Sequence, residues 1–174
     1  MTTAIPQPAM NIQLRLLTAD DQALVWDALR VAAHEEDDVR NMPLCQPYSQ
    51  QFGTKEHDLG VGAFSSQGQP LGAAWIRDLG EQGFCRQGHT YPELAMAVFE
   101  PYQGQGIGTR LLSCLLEHAQ RQSHCLGICL SCRTNNEAAL HLYRSVGFVE
   151  VPGSEQPNRA GGTSIDMVCQ FRQD

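Results

Sequence analysis

The fold of this chain is decided by residues 93–108, which read ELAMAVFEPYQGQGIG. Residues 93–99 form an apolar stretch of strand type, and the turn that follows alternates Gly104, Gly106 and Gly108. A helical pattern begins directly after the turn. Its apolar face consists of Ile107, Leu111, Leu112, Leu115, Leu116 and Ala119. A strand, a glycine turn and a helix in this order are typical of sites where backbone amides and the helix dipole hold phosphate groups.

Three kinds of phosphate ligand are candidates for such a turn. A nucleoside triphosphate requires GxxxxGK followed by Ser or Thr, and no lysine follows these glycines. A dinucleotide requires GxGxxG near the start of a βαβ unit. This turn instead reads GxGxG, other elements precede it, and no clear acidic ribose ligand follows. The third candidate is the pyrophosphate of coenzyme A.

The glycine turn and a second motif follow each other along the chain, separated by a strand. Gln103, Gly106 and Gly108 fit the pattern Q/R-x-x-G-x-G/A, and residues 136–148, NEAALHLYRSVGF, fit N-x-x-A-x-x-x-Y-x-x-x-G-F. Together they resemble the acetyl-CoA-binding motif and the following helix of the GCN5-related N-acetyltransferases. The resemblance covers about residues 11–171 and is sharp over residues 93–148.

This resemblance implies an N-acetyltransferase that moves an acetyl group from acetyl-CoA to a primary amine by direct attack in a ternary complex. The residues that the resemblance assigns to the coenzyme are Met96, Ala97, Val98, Gln103, Gly104, Gln105, Gly106, Ile107, Gly108, Thr109, Asn136 and Tyr143. Gln103 stands where the family more often has Arg, and Gln105 where Lys or Arg is common. We therefore expect the turn to bind mainly through backbone amides, with Arg110 the only nearby cation in the sequence.

Acetyl transfer needs a neutral amine, a polarised carbonyl group and a protonated leaving thiolate. By resemblance, Tyr143 is the acid, since a phenol with a pKa of about 10 is protonated at neutral pH. Glu93, at the start of the central strand, is the candidate base. Taken alone, Tyr143 is also compatible with core packing and Glu93 with an exposed strand end. Asn136 is a helix N-cap, a coenzyme ligand, or both.

Hydrophobic periodicity predicts the remaining elements around the central motif. The expected strands are residues 11–17, 59–65, 70–77, 93–99, 125–132, 148–151 and 163–171. The expected helices start near residues 18–21, 107 and 136. Residues 41–58, 78–92 and 152–162 are expected loops. The order β-α-(α)-β-β-β-α-β-α-β-β, in which the bracketed helix is optional, predicts an α/β fold with a mixed, largely antiparallel sheet flanked by helices.

Length and composition limit the remaining possibilities. The chain has 174 residues and 19.2 kDa, which indicates one domain over residues 11–174 behind a flexible tail at residues 1–10. The net charge of −7 argues against nucleic-acid or membrane partners. Seven irregularly spaced cysteines and no signal-like start predict a reducing, cytoplasmic location. Cys129 and Cys132 form a single CxxC on a strand and should point to opposite faces, so we expect no metal site.

The sequence leaves the acceptor open as a small-molecule or peptide amine, and it is compatible with a homodimer. Residues 35–38 are acidic, and together with the net charge they favour a cationic acceptor, although such a run is usually a solvated helix end. Two other functions stay open. One is a dinucleotide-dependent oxidoreductase, and the other is a non-catalytic acyl-CoA-binding sensor or interaction module.

Overall fold

The computed structural model describes residues 11–172, so the predicted tail at residues 1–10 lies outside the described residues. The strands are β1 (Ile12–Leu16), β2 (Leu59–Ser65), β3 (Pro70–Arg77), β4 (Glu93–Val98), β5 (Gly127–Arg133), β6 (Val149–Glu150), β7 (Gln156–Pro157) and β8 (Thr163–Gln170). The helices are α1 (Gln22–Ala32), α2 (Gln46–Ser49), α3 (Ile107–Gln120) and α4 (Glu137–Ser145). Among residues 11–172, no helix has the length and apolar character needed to cross a bilayer.

One open sheet runs through the molecule in the order β1-β2-β3-β4-β5-β8-β6, and β7 pairs with β8. Every pairing is antiparallel except β4 with β5. The predicted mixed, largely antiparallel sheet is therefore confirmed. The parallel pair matches at one position only, Glu93 with Cys129, so β4 and β5 separate beyond that point. Their separation opens a cleft in the middle of the sheet.

Each face of the sheet has its own core. The apolar face of α3 packs on one side, where Leu111, Leu112 and Leu115 are fully buried. The other core lies under α1 and contains Val25 and Trp75. Burying a side chain of this size contributes about 1.5–3 kcal/mol relative to leaving it exposed. The sheet is thereby packed on both of its faces.

The segment before β2, predicted as a loop, is fixed to the sheet by hydrogen bonds from two buried side chains of β3, Trp75 and Arg77. The Trp75 indole donates to the Tyr48 carbonyl over 2.7 Å, and α2 places Tyr48 in the core. The Arg77 guanidinium makes two hydrogen bonds to Asp58, and both side chains are at most 2% exposed. Arg77 also donates to the carbonyls of Pro47 and Gln50.

Two other predicted loops are more ordered than the sequence indicated. The segment at residues 78–92 contains two short 3-10 helices, Gly80–Gln82 and Arg86–His89, and its Cys85 is buried. The segment at residues 152–162 contains β7, a two-residue strand on the edge of β8. Both depend on contacts with distant parts of the chain, which local periodicity does not report.

Candidate active site

A cleft of about 940 Å³ lies where β4 and β5 separate. It has two arms that meet between the strands. The glycine arm lies between β4, the glycine turn and α4, and the β8 arm lies between the end of α1, β5 and the β7–β8 edge. A volume of this size is at the upper end for small-molecule sites, which span about 300–1,000 Å³.

The glycine turn presents unpaired backbone donors to the glycine arm. Gly104 and Gly106 have φ values of 76° and 78°, in the left-handed region that favours glycine. Gly106 is the N-cap of α3, and no side chain caps this helix. The amides of residues 104–109 donate to no described residue. Uncapped amides and the positive end of the helix dipole favour an anion at this end of the cleft.

The β4 backbone forms the floor of the same arm. Met96, Ala97 and Val98 line the cleft, and their edge toward β5 is unpaired because the parallel ladder stops at Glu93. The Gln103 amide group donates to the Val98 carbonyl over 2.9 Å and holds the turn against the strand end. A free strand edge accepts an extended ligand as an added strand.

Helix α4 supplies Asn136 and Tyr143 from the opposite wall. The Asn136 Oδ1 accepts from the Ala139 amide over 3.1 Å, so the predicted N-cap is present, and the residue also lines the cleft. The centroid of the Tyr143 ring lies 5.7 Å from that of the Phe148 ring, so Tyr143 also has the packing role that its position on the helix allowed. Its hydroxyl bonds to no described residue and is accessible. Burial raises the pKa of Tyr143, with a smaller effect of Cys132, so the phenol stays protonated at neutral pH.

Most predicted site residues come together in this cleft. Every residue that the resemblance assigned to the coenzyme lines it, apart from Gln105. Arg110 also lies outside the lining, so it adds no cation to the glycine arm. Glu93 does not line the cleft.

Glu93 is buried beneath the segment that carries Cys85, with 3% of its surface exposed. The interpretation of Glu93 as an exposed strand end is therefore wrong. The Tyr48 hydroxyl donates to its carboxylate, and the Cys85 amide donates to Oε1 over 3.0 Å. Burial raises the pKa of Glu93 to about 7, and the charge of Asp166 adds to this effect. Glu93 is thus poised to exchange a proton near neutral pH.

Asp166 is the carboxylate that reaches the cleft, and no sequence motif singled it out. It lies on β8, is 1% exposed, and lines the β8 arm. The Arg86 amide donates to its Oδ2 over 3.0 Å, and burial raises its pKa. The sequence feature that points to Asp166 is its position as the one acidic residue of β8, TSIDMVCQ, next to apolar residues.

Two thiols, those of Cys85 and Cys129, lie beside the buried Glu93 carboxylate. The ligand atoms of Cys85, Glu93 and Cys129 lie within 4.8 Å of one another. A hydrogen bond with Cys85 and burial hold the pKa of the Cys129 thiol well above its usual range, so it is protonated at neutral pH. Cys132 packs into the core on the α3 side, so the predicted divergence of the CxxC pair is confirmed.

Residues 23–148 match the model of the Acetyltransferase (GNAT) family. The chain belongs to this family. The N-alpha-acetyltransferase RimI of Mycobacterium tuberculosis is 44% identical to this chain over 77 residues, which cover 42% of this chain and 46% of that protein. The spermine/spermidine N(1)-acetyltransferase of Bacillus subtilis is 25% identical and covers 80% of this chain and 88% of its own length. The chain spans less than half the length of RimI and of a Mycobacterium leprae relative.

Solved structures agree with the fold of this chain. The structure of yncA from Salmonella typhimurium, described as an acetyltransferase with its cofactor acetyl-CoA, aligns with a TM-score of 0.68 at 20% identity. The alignment covers 94% of this chain and 95% of the yncA chain. The predicted family and fold class are thereby confirmed.

Proposed function

We propose that the protein transfers the acetyl group of acetyl-CoA to a primary amine by direct attack in a ternary complex. One observation carries the proposal. The uncapped amides at residues 104–109, the free edge of β4 and the Tyr143 hydroxyl all face one continuous cleft.

Two parts of the coenzyme match groups of this chain in their chemistry. Its pyrophosphate fits the amides of the glycine turn, where no side chain competes for the anion. Its pantetheine arm fits along residues 96–98 as an added strand, because that edge has no strand partner. The Gln103 contact with Val98 already uses one carbonyl of this edge. The thioester then lies where the two arms of the cleft meet, beside Tyr143.

The amine must lose a proton before it attacks, and the Glu93–Asp166 pair is placed to accept it. Asp166 faces the cleft, and Glu93 lies behind it with a pKa of about 7. The charge of Asp166 helps to raise the pKa of Glu93, so the two carboxylates are electrostatically linked. We assign the entry of the proton to Asp166 and the role of the neutral-pH base to the pair, which extends the predicted role of Glu93.

The bonds and protons of the transfer balance within the cleft. The amine nitrogen forms a bond to the thioester carbonyl carbon, and the carbon–sulfur bond breaks as the tetrahedral intermediate collapses. The carboxylate pair holds the proton that the amine loses before attack. The Tyr143 hydroxyl donates its proton to the departing thiolate, and the nitrogen then loses its second proton to the Tyr143 phenolate, which restores the phenol. Holding both substrates side by side supplies much of the remaining acceleration.

The acceptor is proposed to be a small-molecule or peptide amine, since the named relatives are an N-alpha-acetyltransferase and a spermine/spermidine acetyltransferase. All seven cysteines are free, which fits the proposed reducing, cytoplasmic location. A homodimer stays a prediction. The rival that fits the same cleft is a non-catalytic acyl-CoA-binding module.

Two measurements test the proposal. Acetyl-CoA at about 100 times its dissociation constant should stabilise the protein by about 2.7 kcal/mol, whereas a nicotinamide dinucleotide should leave the melting temperature unchanged. Release of the coenzyme thiol should then depend on an added amine. Coenzyme binding without turnover on any amine would support the sensor instead, and stabilisation by the dinucleotide alone would support the oxidoreductase.

A further inference from the structure

The β8 arm carries two opposite charges on the same face of the sheet. Antiparallel pairing places Ser131 opposite Asp166 and Arg133 opposite Ser164. Asp166 and Arg133 are therefore in neighbouring rows, and both line the cleft. Rows two residues apart along a strand are separated by about 6–7 Å. The floor of this arm thus carries an acidic residue and a basic residue in neighbouring rows.

Arg133 has no carboxylate partner among residues 11–172. Its contact there is a long one, 3.5 Å from Nη2 to the Ala33 carbonyl. It is half-buried at the cleft wall. Burial and the charge of Arg133 lower the pKa of the neighbouring His34, so this histidine does not add a second positive charge at neutral pH. An unpaired guanidinium in a partly desolvated cleft attracts an anion.

The other charges of this arm are already compensated. Arg159 forms an ion pair with Glu35 over 2.9 Å, and its guanidinium lies 5.7 Å from the Phe84 ring. Asp38 pairs with Arg40. Arginines of this chain therefore neutralise part of the negative charge of residues 35–38. This acidic run attracts a cationic acceptor less strongly as a result.

We infer that the acceptor of the proposed transfer is an amine with an anionic group beside it, an α-amino acid or a similar zwitterion. Asp166 receives the ammonium group and Arg133 receives the carboxylate. This inference rests on the proposed function. An α-amino acid carries both an ammonium group and a carboxylate, which complement the charges of these two side chains. Apolar side chains of Val31, Ala32 and Phe84 line the rest of the arm and contact the remainder of the acceptor.

The charges of Asp166 and Arg133 also predict which acceptors bind poorly and why the product leaves. A polyamine would place its second ammonium group against Arg133, where like charges repel. An amino-acid amide or a peptide N-terminus would leave Arg133 with a neutral carbonyl, a weaker partner than a carboxylate. Acetylation removes the positive charge of the amine, so the product loses its attraction to Asp166 and keeps only its contact with Arg133.

The test compares free L-α-amino acids, the corresponding amino-acid amides and spermidine as acceptors at saturating acetyl-CoA. The free acids should be acetylated with a kcat/KM at least about tenfold above that of their amides, as one charge-assisted hydrogen bond permits. Arg133→Gln should lower kcat/KM for the acids by about 10- to 100-fold through KM, with a much smaller loss for the amides. Arg133→Lys, which keeps the charge, should recover part of the loss. Arg121→Gln removes the same charge from an exposed site outside the cleft and should change neither.

Spermidine or the amides acetylated as well as the acids would overturn the inference and leave the proposed function intact. An Arg133→Gln variant with equal losses on acids and amides would also overturn it, since that pattern indicates a structural role. If Arg133→Gln does not fold, the acid-to-amide ratio of the unaltered protein decides. Absence of turnover on every acceptor, with acetyl-CoA bound, would remove the proposed transfer itself.

Discussion

The carboxylates of Glu93 and Asp166 are held by the amides of two consecutive residues. The Cys85 amide donates to Glu93 and the Arg86 amide to Asp166, each over 3.0 Å. One short segment therefore fixes both groups, one behind the cleft and one in its wall. Because this segment comes from residues 78–92, a surface connection in the sequence becomes the support of the proposed base.

The raised pKa of Glu93 predicts a pH dependence of stability. A carboxyl whose pKa rises from 4.5 to about 7 on folding binds its proton more tightly in the folded state. Its contribution is complete below pH 4.5 and is lost as pH rises through about 7. Wild-type protein should therefore lose stability relative to Glu93→Gln between pH 5 and pH 8, by on the order of 3 kcal/mol. Urea unfolding of both proteins across this range measures it, and parallel curves would contradict it.

Asp166→Asn tests the entry point of the proton. The amide oxygen can still accept from the Arg86 amide, so we expect the fold to survive. Turnover at neutral pH should fall by about 10²–10⁴-fold, the range of general base effects, and recover partly at high pH as free amine becomes abundant. Glu93→Gln should shift the pH–rate profile in the same direction with a smaller loss. A larger loss in Glu93→Gln than in Asp166→Asn would reverse the two assignments.

The glycine turn and α4 were predictable because their signals are local. Gly106 occupies the left-handed N-cap that a tight turn into α3 requires, and Asn136 caps α4 through its own side chain. Both features depend on residues within four positions in sequence. The same holds for the hairpin of β2 and β3, whose turn contains Gly68.

Asp166 and the surroundings of Glu93 were not predictable from local patterns. Asp166 enters the site only through the pairing of β5 with β8, which joins residues 35 positions apart at Ser131. The environment of Glu93 depends on Tyr48, which lies 45 positions away. Tertiary packing decides whether residues so far apart in sequence are buried together. A charged residue in an apolar strand indicates burial only in general terms, without naming its partners.

Gly106→Ala should weaken acetyl-CoA binding through the backbone rather than through a clash. A Cβ at Gly106 would meet nothing within 4 Å, but its φ of 78° is strained for any residue with a side chain. The strain should cost about 1 kcal/mol and turn the amides away from the pyrophosphate. Gly68→Ala is the matched control, with φ of 82°, open space and no place in the cleft. Calorimetry should find weaker acetyl-CoA binding only in Gly106→Ala, and equal affinities in both variants would exclude the turn as the site.

Tyr143→Phe should separate chemistry from binding. The ring and its contact with Phe148 are retained, so coenzyme affinity and stability should change little. Loss of the hydroxyl should lower kcat by about 10²-fold, as expected for a general acid. Since burial raises the pKa of Tyr143, the wild-type rate should show no fall from its ionisation up to pH 10. Tyr91→Phe removes a hydroxyl that bonds to Gln170 outside the cleft and should leave kcat unchanged. Wild-type kcat in Tyr143→Phe, with chemistry rate-limiting in single-turnover experiments, would assign Tyr143 to packing and the proton of the thiol to water.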